Sequence, residues 1–153
     1  MDLKRISLGE IIAVVGGALL GVGLFLKWYE SVSRLATVNG QPKGTGVFTG
    51  FDVHTLIRYL FLAAAIAPLI LTYIIARNHT LSWPRGQVTS VVAIASFGLL
   101  LYNGIIDRPG EPSGQIELEY GWYVSMAGAL LMFYGSVRRQ QESEIKRKPP
   151  GTL

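Results

Sequence analysis

Hydrophobic residues dominate four long stretches of the chain, and polar or turn-forming residues fill the segments between them. The stretches are residues 8–26, 56–76, 88–106 and 120–137. Each has about the 17–25 residues that a helix needs to cross a bilayer. Buried helices of a soluble bundle would show a charged face, and these stretches do not. The pattern predicts an all-α membrane protein whose single domain, residues 1–153, is a four-helix transmembrane bundle.

The composition supports a membrane protein. Only 16% of the residues are charged, whereas a soluble domain has about 25%. Cysteine is absent, which excludes disulfides and cysteine-ligated zinc or iron–sulfur sites. Lys4 and Arg5 precede the first stretch as they would in a signal peptide, but no small-residue cleavage site follows it. We therefore interpret the first stretch as a retained helix.

Basic residues are distributed unevenly between the segments that flank the four stretches. With both termini in the cytoplasm, nine basic residues lie inside and four outside, as the positive-inside rule requires. The net charge of +4 reflects this asymmetry, so no nucleic-acid partner is expected. Trp28 and Trp122 fall at the predicted outer interface, where amphipathic aromatic rings concentrate. We expect an integral, multi-pass protein of the plasma (inner) membrane.

The outer loop between the first two stretches, residues 27–54, contains a turn signal. Asn39-Gly40 is a pair typical of a type I′ hairpin turn, and the short segments LATV and GVF flank it. This predicts a small extracytoplasmic β-hairpin between helices 1 and 2, with a flexible connecting loop as the alternative. Thr49-x-x-Asp52 resembles a capping box that opens the second helix.

Small residues recur in the first and fourth helices. Gly17 and Gly21 form a GxxxG motif, and Ser125 and Gly128 lie in the fourth helix. Small residues allow helix backbones to approach closely in lipid. These four residues either pack the bundle against itself or form an interface with a partner subunit.

Ionisable residues lie near the ends of the stretches rather than at the membrane midplane. Arg58 is about one turn into the second helix, and Asp107 follows the third helix at the same outer level. An intramembrane ion pair between them is predicted because charges at this depth usually pair. Arg58 could instead pair with Asp52 or extend to the lipid headgroups.

The cytoplasmic tail, residues 138–153, is basic. Each basic residue near an anionic membrane surface contributes about 1 kcal/mol to binding, although the tail could equally serve only solubility. Glu10, near the inner end of the first helix, could pair with Arg138 or Lys4. The residues expected at the lipid surface are Arg138, Arg139, Lys146, Arg147 and Lys148.

A reaction centre is not recognisable in the sequence. His54 and His79 are predicted at opposite faces of the membrane, so they cannot ligate one haem together. No HExxH motif, paired midplane carboxylates or phosphate-binding glycine loop after a strand is present. We therefore expect no catalytic residues, no cofactor and no metal site.

Three segments resemble a recurring membrane-protein pattern: GLFLKWYE, FTGFDV and YGWYVSMAGALLMFYG. They are similar to small four-span membrane proteins of actinobacterial type, in which helix one ends in an aromatic pair and a Phe-Asp segment leads into helix two. Lys27 stands where many of those proteins have proline. The resemblance implies a plasma-membrane location. In topology alone the chain also resembles claudins, but their outer-loop cysteines and Gly-Leu-Trp signature are absent here.

Two hypotheses for function follow. The first is a non-enzymatic accessory or structural subunit of a larger plasma-membrane complex, of respiratory or envelope type, with other integral membrane subunits and membrane lipids as partners. The alternative is a small self-associating channel, transporter or lipid-binding protein. In that alternative, Pro68, Arg58, Asn103 and Asp107 would line or gate the pathway.

Overall fold

The computed structural model describes residues 6–38, 41–42, 46–77, 86–112 and 115–145. Within these residues the fold is mostly helical, with a small β-structure at one end of the helices. The Asn39-Gly40 turn lies outside the described residues, as do Lys146, Arg147 and Lys148.

Each of the four predicted stretches forms a helix. A single turn, α2, precedes the second long helix, and the last turn of α4 widens into a π-helix over Tyr102–Ile106. The helices are α1 (Leu8–Leu24), α2 (Gly50–Val53), α3 (Ile57–Ala76), α4 (Gln87–Leu101) and α5 (Tyr120–Ile145). Helix α1 is shorter than predicted, and α5 continues well past residue 137 into the basic tail.

Two helices are long and apolar enough to cross a membrane. They are α3, and α4 together with its π-helical turn, Gln87–Ile106. Helix α1 is also apolar but has 17 residues. About a third of the residues in the apolar window of each helix, 33%, are buried inside the chain.

Side chains cap the first two helices. At α1, Ser7 Oγ accepts a hydrogen bond from Glu10 N, and Glu10 Oε2 accepts one from Ser7 N at 2.7 Å. This is a full capping box. The predicted cap at Thr49 is confirmed, since its Oγ1 accepts a hydrogen bond from Asp52 N at 3.1 Å. It opens the short helix α2 rather than the long helix α3.

Helices α1 and α5 form the centre of the bundle, with α3 packed on α1 and α4 packed on α5. Small residues make the central contact close. A Cβ atom at Gly16 would lie 2.5 Å from Met132 N, and one at Gly128 would lie 2.5 Å from Leu20 N. Real Cβ atoms do not approach backbone atoms so closely, so only glycine fits at these two positions.

The β-structure differs from the predicted hairpin. Its strands are β1 (Lys27–Ser31), β2 (Thr37–Val38), β3 (Gln41–Pro42), β4 (Gly46–Thr49) and β5 (Ile116–Leu118). Strands β2 and β3 form a two-residue ladder on either side of the Asn39-Gly40 position. The GVF segment does not pair with LATV: it belongs to β4, which pairs with β1.

The main sheet joins both outer loops. Strand β1 is central, with β4 and β5 antiparallel on either side. Strands β1 and β4 come from the loop after α1, whereas β5 comes from the segment before α5. The expected all-α class is therefore corrected to a mostly helical fold with a three-stranded sheet, which we call the outer cap.

Trp28 and Trp122 are buried rather than exposed at an interface. The pairing of β1 with β4 is irregular between Lys27 and Tyr29. Such an irregularity lets neighbouring side chains turn towards the same side, and both Trp28 and Tyr29 are buried. Trp28 Nε1 donates to Gly23 O at 2.7 Å, and Gly50 lies directly against the indole ring. These contacts fix the outer cap onto the bundle.

Candidate functional site

The π-helical turn at the end of α4 changes which groups bind its carbonyl oxygens. Asp107 N donates to Tyr102 O at 2.8 Å, an i to i+5 bond. Nearby carbonyl groups accept hydrogen bonds from side chains instead: Trp122 Nε1 donates to Leu100 O at 3.0 Å, and Arg108 Nε donates to Gly104 O at 2.8 Å. Single π-helical turns are frequent at functional sites, which directs attention to this end of the molecule.

Tyr29 connects the cap to the π-helical turn. Its hydroxyl group donates to Asn103 O at 3.0 Å and lies 3.1 Å from His54 Nε2. A phenol has one proton, and Asn103 O can only accept. The hydrogen between Tyr29 and His54 must therefore come from Nε2, which leaves Nδ1 of His54 as an unprotonated acceptor.

Burial keeps this pair neutral. Desolvation lowers the pKa of His54 to about 4. Desolvation also raises the pKa of Tyr29 well above its ordinary value, an effect that the positive charge of Arg108 partly opposes. Neither group changes charge near neutral pH. The pair therefore acts as a fixed hydrogen-bonded contact rather than as an acid and a base.

Aromatic rings hold His54 in place. The ring of Trp28 meets the rings of Tyr29, His54 and Phe61 edge-on, with centroids 5.6–6.1 Å apart. Edge-to-face contacts of this kind add to the stabilisation from burial alone. The imidazole ring of His54 therefore has a defined position.

A wide cleft of about 1360 Å³ opens beside this cluster. It lies between the junction of α2 and α3 and the segment that follows the π-helical turn, and we call it the outer cleft. His54 and Asn103 line it. So do three highly exposed apolar side chains: Leu35, Leu56 and Ile106 are 87%, 79% and 74% exposed.

The outer cleft also carries charged side chains. Arg108 is held by carbonyl groups, since its Nη1 donates to Ile116 O at 2.9 Å. Asp107 accepts a hydrogen bond from Tyr102 Oη at 3.2 Å. Glu111 is positioned by two backbone hydrogen bonds with Thr37, each 2.9 Å long. The cleft therefore combines apolar side chains with two carboxylates and one guanidinium group.

The structure does not bring Arg58 and Asp107 together as an ion pair. The guanidinium group of Arg58 lies over the rings of Phe51 and Tyr59, at 4.7 and 4.9 Å from their centroids. Its Nη1 also donates to Phe51 O, and no ion pair joins it to Asp52 within the described ranges. Stacking on two neighbouring rings and hydrogen bonds to Phe51 O and Tyr59 Oη hold the guanidinium group near the start of α3.

The four small residues predicted as an interface are used inside the fold. Gly17 lies against Ala65 O, and a Cβ atom there would be 2.6 Å from it. Gly21 faces Ala65, Gly128 faces Leu20, and Ser125 faces Gly23. These contacts serve helix packing within one chain, which was the first of the two alternatives.

Glu10 forms an ion pair with Arg139 rather than with Arg138, and Lys4 lies outside the described residues. Arg139 Nε lies 3.0 Å from Glu10 Oε1, and both side chains are buried, at 6% and 7% exposure. Arg139 is therefore not at the lipid surface. Its neighbour Arg138 is 40% exposed and pairs with Glu142 at 3.5 Å. A signal was present: Gly128, Gly135 and Arg139 share one helical face, which is the face that meets α1.

Polar groups continue from this ion pair along α4 and α5. Ser90 Oγ and Ser136 Oγ are 2.7 Å apart, and Gln140 Nε2 donates to Ser90 Oγ at 2.9 Å. A small cavity of about 30 Å³ lies beside these helices, large enough for one water molecule. Pro68 lines this cavity, whereas Asn103 lies at the outer cleft, so two of the residues suggested for a transport pathway line separate cavities.

Within the described ranges, no three histidine, aspartate or glutamate side chains lie close enough together to hold a metal ion. Comparison of the chain with known protein families, characterised proteins and solved structures finds no match. The fold therefore defines the class only coarsely: a mostly helical protein with a small sheet and two helices long and apolar enough to cross a membrane.

Proposed function

We propose that the chain is a four-span protein of the plasma membrane, with both termini in the cytoplasm, that serves as a non-enzymatic accessory or structural subunit of a larger membrane complex. The apolar lengths of α3 and α4 support membrane insertion. Helices α1 and α5 lie alongside them in one bundle. The distribution of basic residues supports the orientation.

The outer cleft is the observation that carries the accessory role. Exposed apolar residues that share one concave surface mark interaction sites more often than scattered single residues do. Leu35, Leu56 and Ile106 share such a surface at the end of the molecule that the proposed orientation places outside the cytoplasm. The glycine contacts are already used within the bundle, so docking is assigned to the cleft instead.

The test is mild detergent extraction from the native membrane, followed by native mass measurement of the intact species. Stoichiometric co-migration of larger subunits is expected. Leu35→Ser in the cleft should release them because it removes an exposed apolar contact. Val32→Ser is the matched control, since Val32 is 56% exposed in the same loop and does not line the cleft. A species that contains only this chain would refute the accessory role.

One observation favours the alternative of a self-associating channel, transporter or lipid-binding protein. Helices α3 and α4 contact each other much less than α1 and α5 do, which leaves a lateral seam that a lipid chain could enter. Retained lipid on a lone or homo-oligomeric species in the same mass measurement would support this second function.

A further inference from the structure

Two carboxylate groups in the outer cleft lack a basic partner. Asp107 receives only the hydroxyl group of Tyr102, and Glu111 is held through its backbone. In the described part of the chain, every ion pair lies at the inner end, among Glu10, Arg138, Arg139 and Glu142. Among the described residues, the two cleft carboxylates therefore take part in no ion pair.

Arg108 stands between these acids in the sequence but is occupied elsewhere. Its Nε and Nη1 atoms donate to Gly104 O and Ile116 O at 2.8 and 2.9 Å. These bonds hold the guanidinium group against the π-helical turn and the β5 strand. One cation and two anions line the cleft, so its net charge is negative.

His54 adds a hydrogen-bond acceptor. Its Nε2–H is directed at the hydroxyl group of Tyr29, which leaves Nδ1 as the acceptor of the neutral ring. Because His54 lines the cleft, Nδ1 is the ring nitrogen available to a bound group. A ligand matched to this site carries hydrogen-bond donors and positive charge.

We propose that the outer cleft binds a segment of a partner subunit in which basic side chains are flanked by apolar ones. This inference rests on the accessory role proposed above and names the chemistry of the partner. The basic side chains pair with Asp107 and Glu111. The apolar ones cover Leu35, Leu56 and Ile106. Charge complementarity of this kind supplies specificity and register at an interface.

The test uses the full chain in nanodiscs of neutral phosphatidylcholine and two fluorescent peptides of equal length. One peptide alternates leucine with lysine, and the other alternates leucine with glutamate. The lysine peptide is expected to bind with a Kd about tenfold lower, after subtraction of binding to empty nanodiscs. The combined variant Asp107→Asn, Glu111→Gln should abolish this preference. Both substitutions are nearly isosteric, so the fold is retained.

Glu117→Gln is the matched control, because Glu117 is an exposed acid of the outer cap that does not line the cleft. It should leave the preference for the lysine peptide intact. Equal binding of the two peptides, or the same loss in Glu117→Gln as in the cleft variant, would overturn the inference.

The two proposals fail separately. If larger subunits co-migrate with the chain and the cleft variant discriminates between the peptides as the parent chain does, the accessory role stands and the basic-segment inference is wrong. If the peptides are discriminated as expected and no subunit co-migrates, the cleft chemistry stands and the accessory role is wrong.

Discussion

The hydroxyl group of Tyr29 lies 3.1 Å from Nε2 of His54 and also donates to Asn103 O. One side chain of the central strand thus holds both the start of α3 and the end of α4. Because the proton positions follow from the donors and acceptors available, this relationship predicts how the outer cap responds to pH.

The free energy of unfolding should decrease as the pH falls from about 6.5 to about 4. Burial lowers the pKa of folded His54 to about 4 from its ordinary 6.5. In that window the unfolded chain binds a proton that the folded chain does not, so acid favours unfolding. Tryptophan fluorescence during denaturant titration at several pH values measures this slope.

His54→Gln is the comparison variant for the pH effect. The glutamine amide can still donate to Tyr29, but it does not titrate. The variant should therefore lose the part of the slope that belongs to His54, while the contribution of the carboxylates remains in both proteins. An identical slope in the two proteins would contradict the assignment.

Substitution of glycine by alanine should change the free energy of unfolding in opposite directions at buried and at exposed helix positions. Gly16→Ala or Gly128→Ala should lower the free energy of unfolding by about 1–3 kcal/mol, because the new methyl group forces α1 and α5 apart. Gly98→Ala is the control: nothing lies within 4 Å of its added Cβ atom. There the higher helix propensity of alanine should give a gain of up to about 1 kcal/mol. Equal effects at all three positions would exclude the close packing described.

Removal of either charge from the buried pair should be costly. Glu10→Gln preserves the capping box, because glutamine also serves at that position, but it removes the buried partner of Arg139 and leaves only the longer contact with Glu142 at 3.8 Å. Breaking a buried pair in this way costs about 3–5 kcal/mol. The double variant Glu10→Gln, Arg139→Met should recover part of the loss. Arg138→Gln, at a half-exposed site, should change stability by less than about 1 kcal/mol. Unfolding titrations of the four proteins give the complete comparison.

The proposed topology can be tested by labelling single cysteines, since the chain has no cysteine of its own. In intact cells, a membrane-impermeant maleimide should label Val32→Cys and Glu117→Cys, because both positions are exposed and neither lines the outer cleft. Gln141→Cys, on the exposed side of the last helix, should react only after the membrane is opened. Labelling of Gln141→Cys in intact cells would contradict cytoplasmic placement of the C-terminal end.

The sequence predicts the helices well because apolar length is a local property. The four long stretches become helices without any information about their neighbours. The outer cap is different. Strand β5 has only three residues, Ile116–Leu118, and its partner β1 follows α1 directly, so neither segment shows a recognisable hairpin signal. Pairing between strands that are far apart in the chain is decided by where the helices place them.

The candidate site is only partly predictable for the same reason. The sequence singles out Asn103 and Asp107, which line the cleft, but it uses His54 only to exclude a haem shared with His79. The contact of His54 with Tyr29 depends on the position of β1.

The two tryptophans were assigned to membrane interfaces because of their chemistry, whereas their indole N–H groups bind Gly23 O and Leu100 O inside the protein. The chemistry of tryptophan suits a membrane interface and a protein interior equally. Only the packing of the folded chain shows which of the two a given tryptophan occupies.

The arrangement of the main sheet has a consequence for biosynthesis. During synthesis, β1 and β4 emerge before α3, so this pair can form once the first two long helices are in place. In the proposed topology, the β5 edge of β1 then remains open until the last outer segment is translocated. During that interval the central strand would expose unpaired backbone groups on the outer side of the membrane. A chaperone or an early-binding partner would meet the nascent protein at this edge, before Ile116–Leu118 closes it.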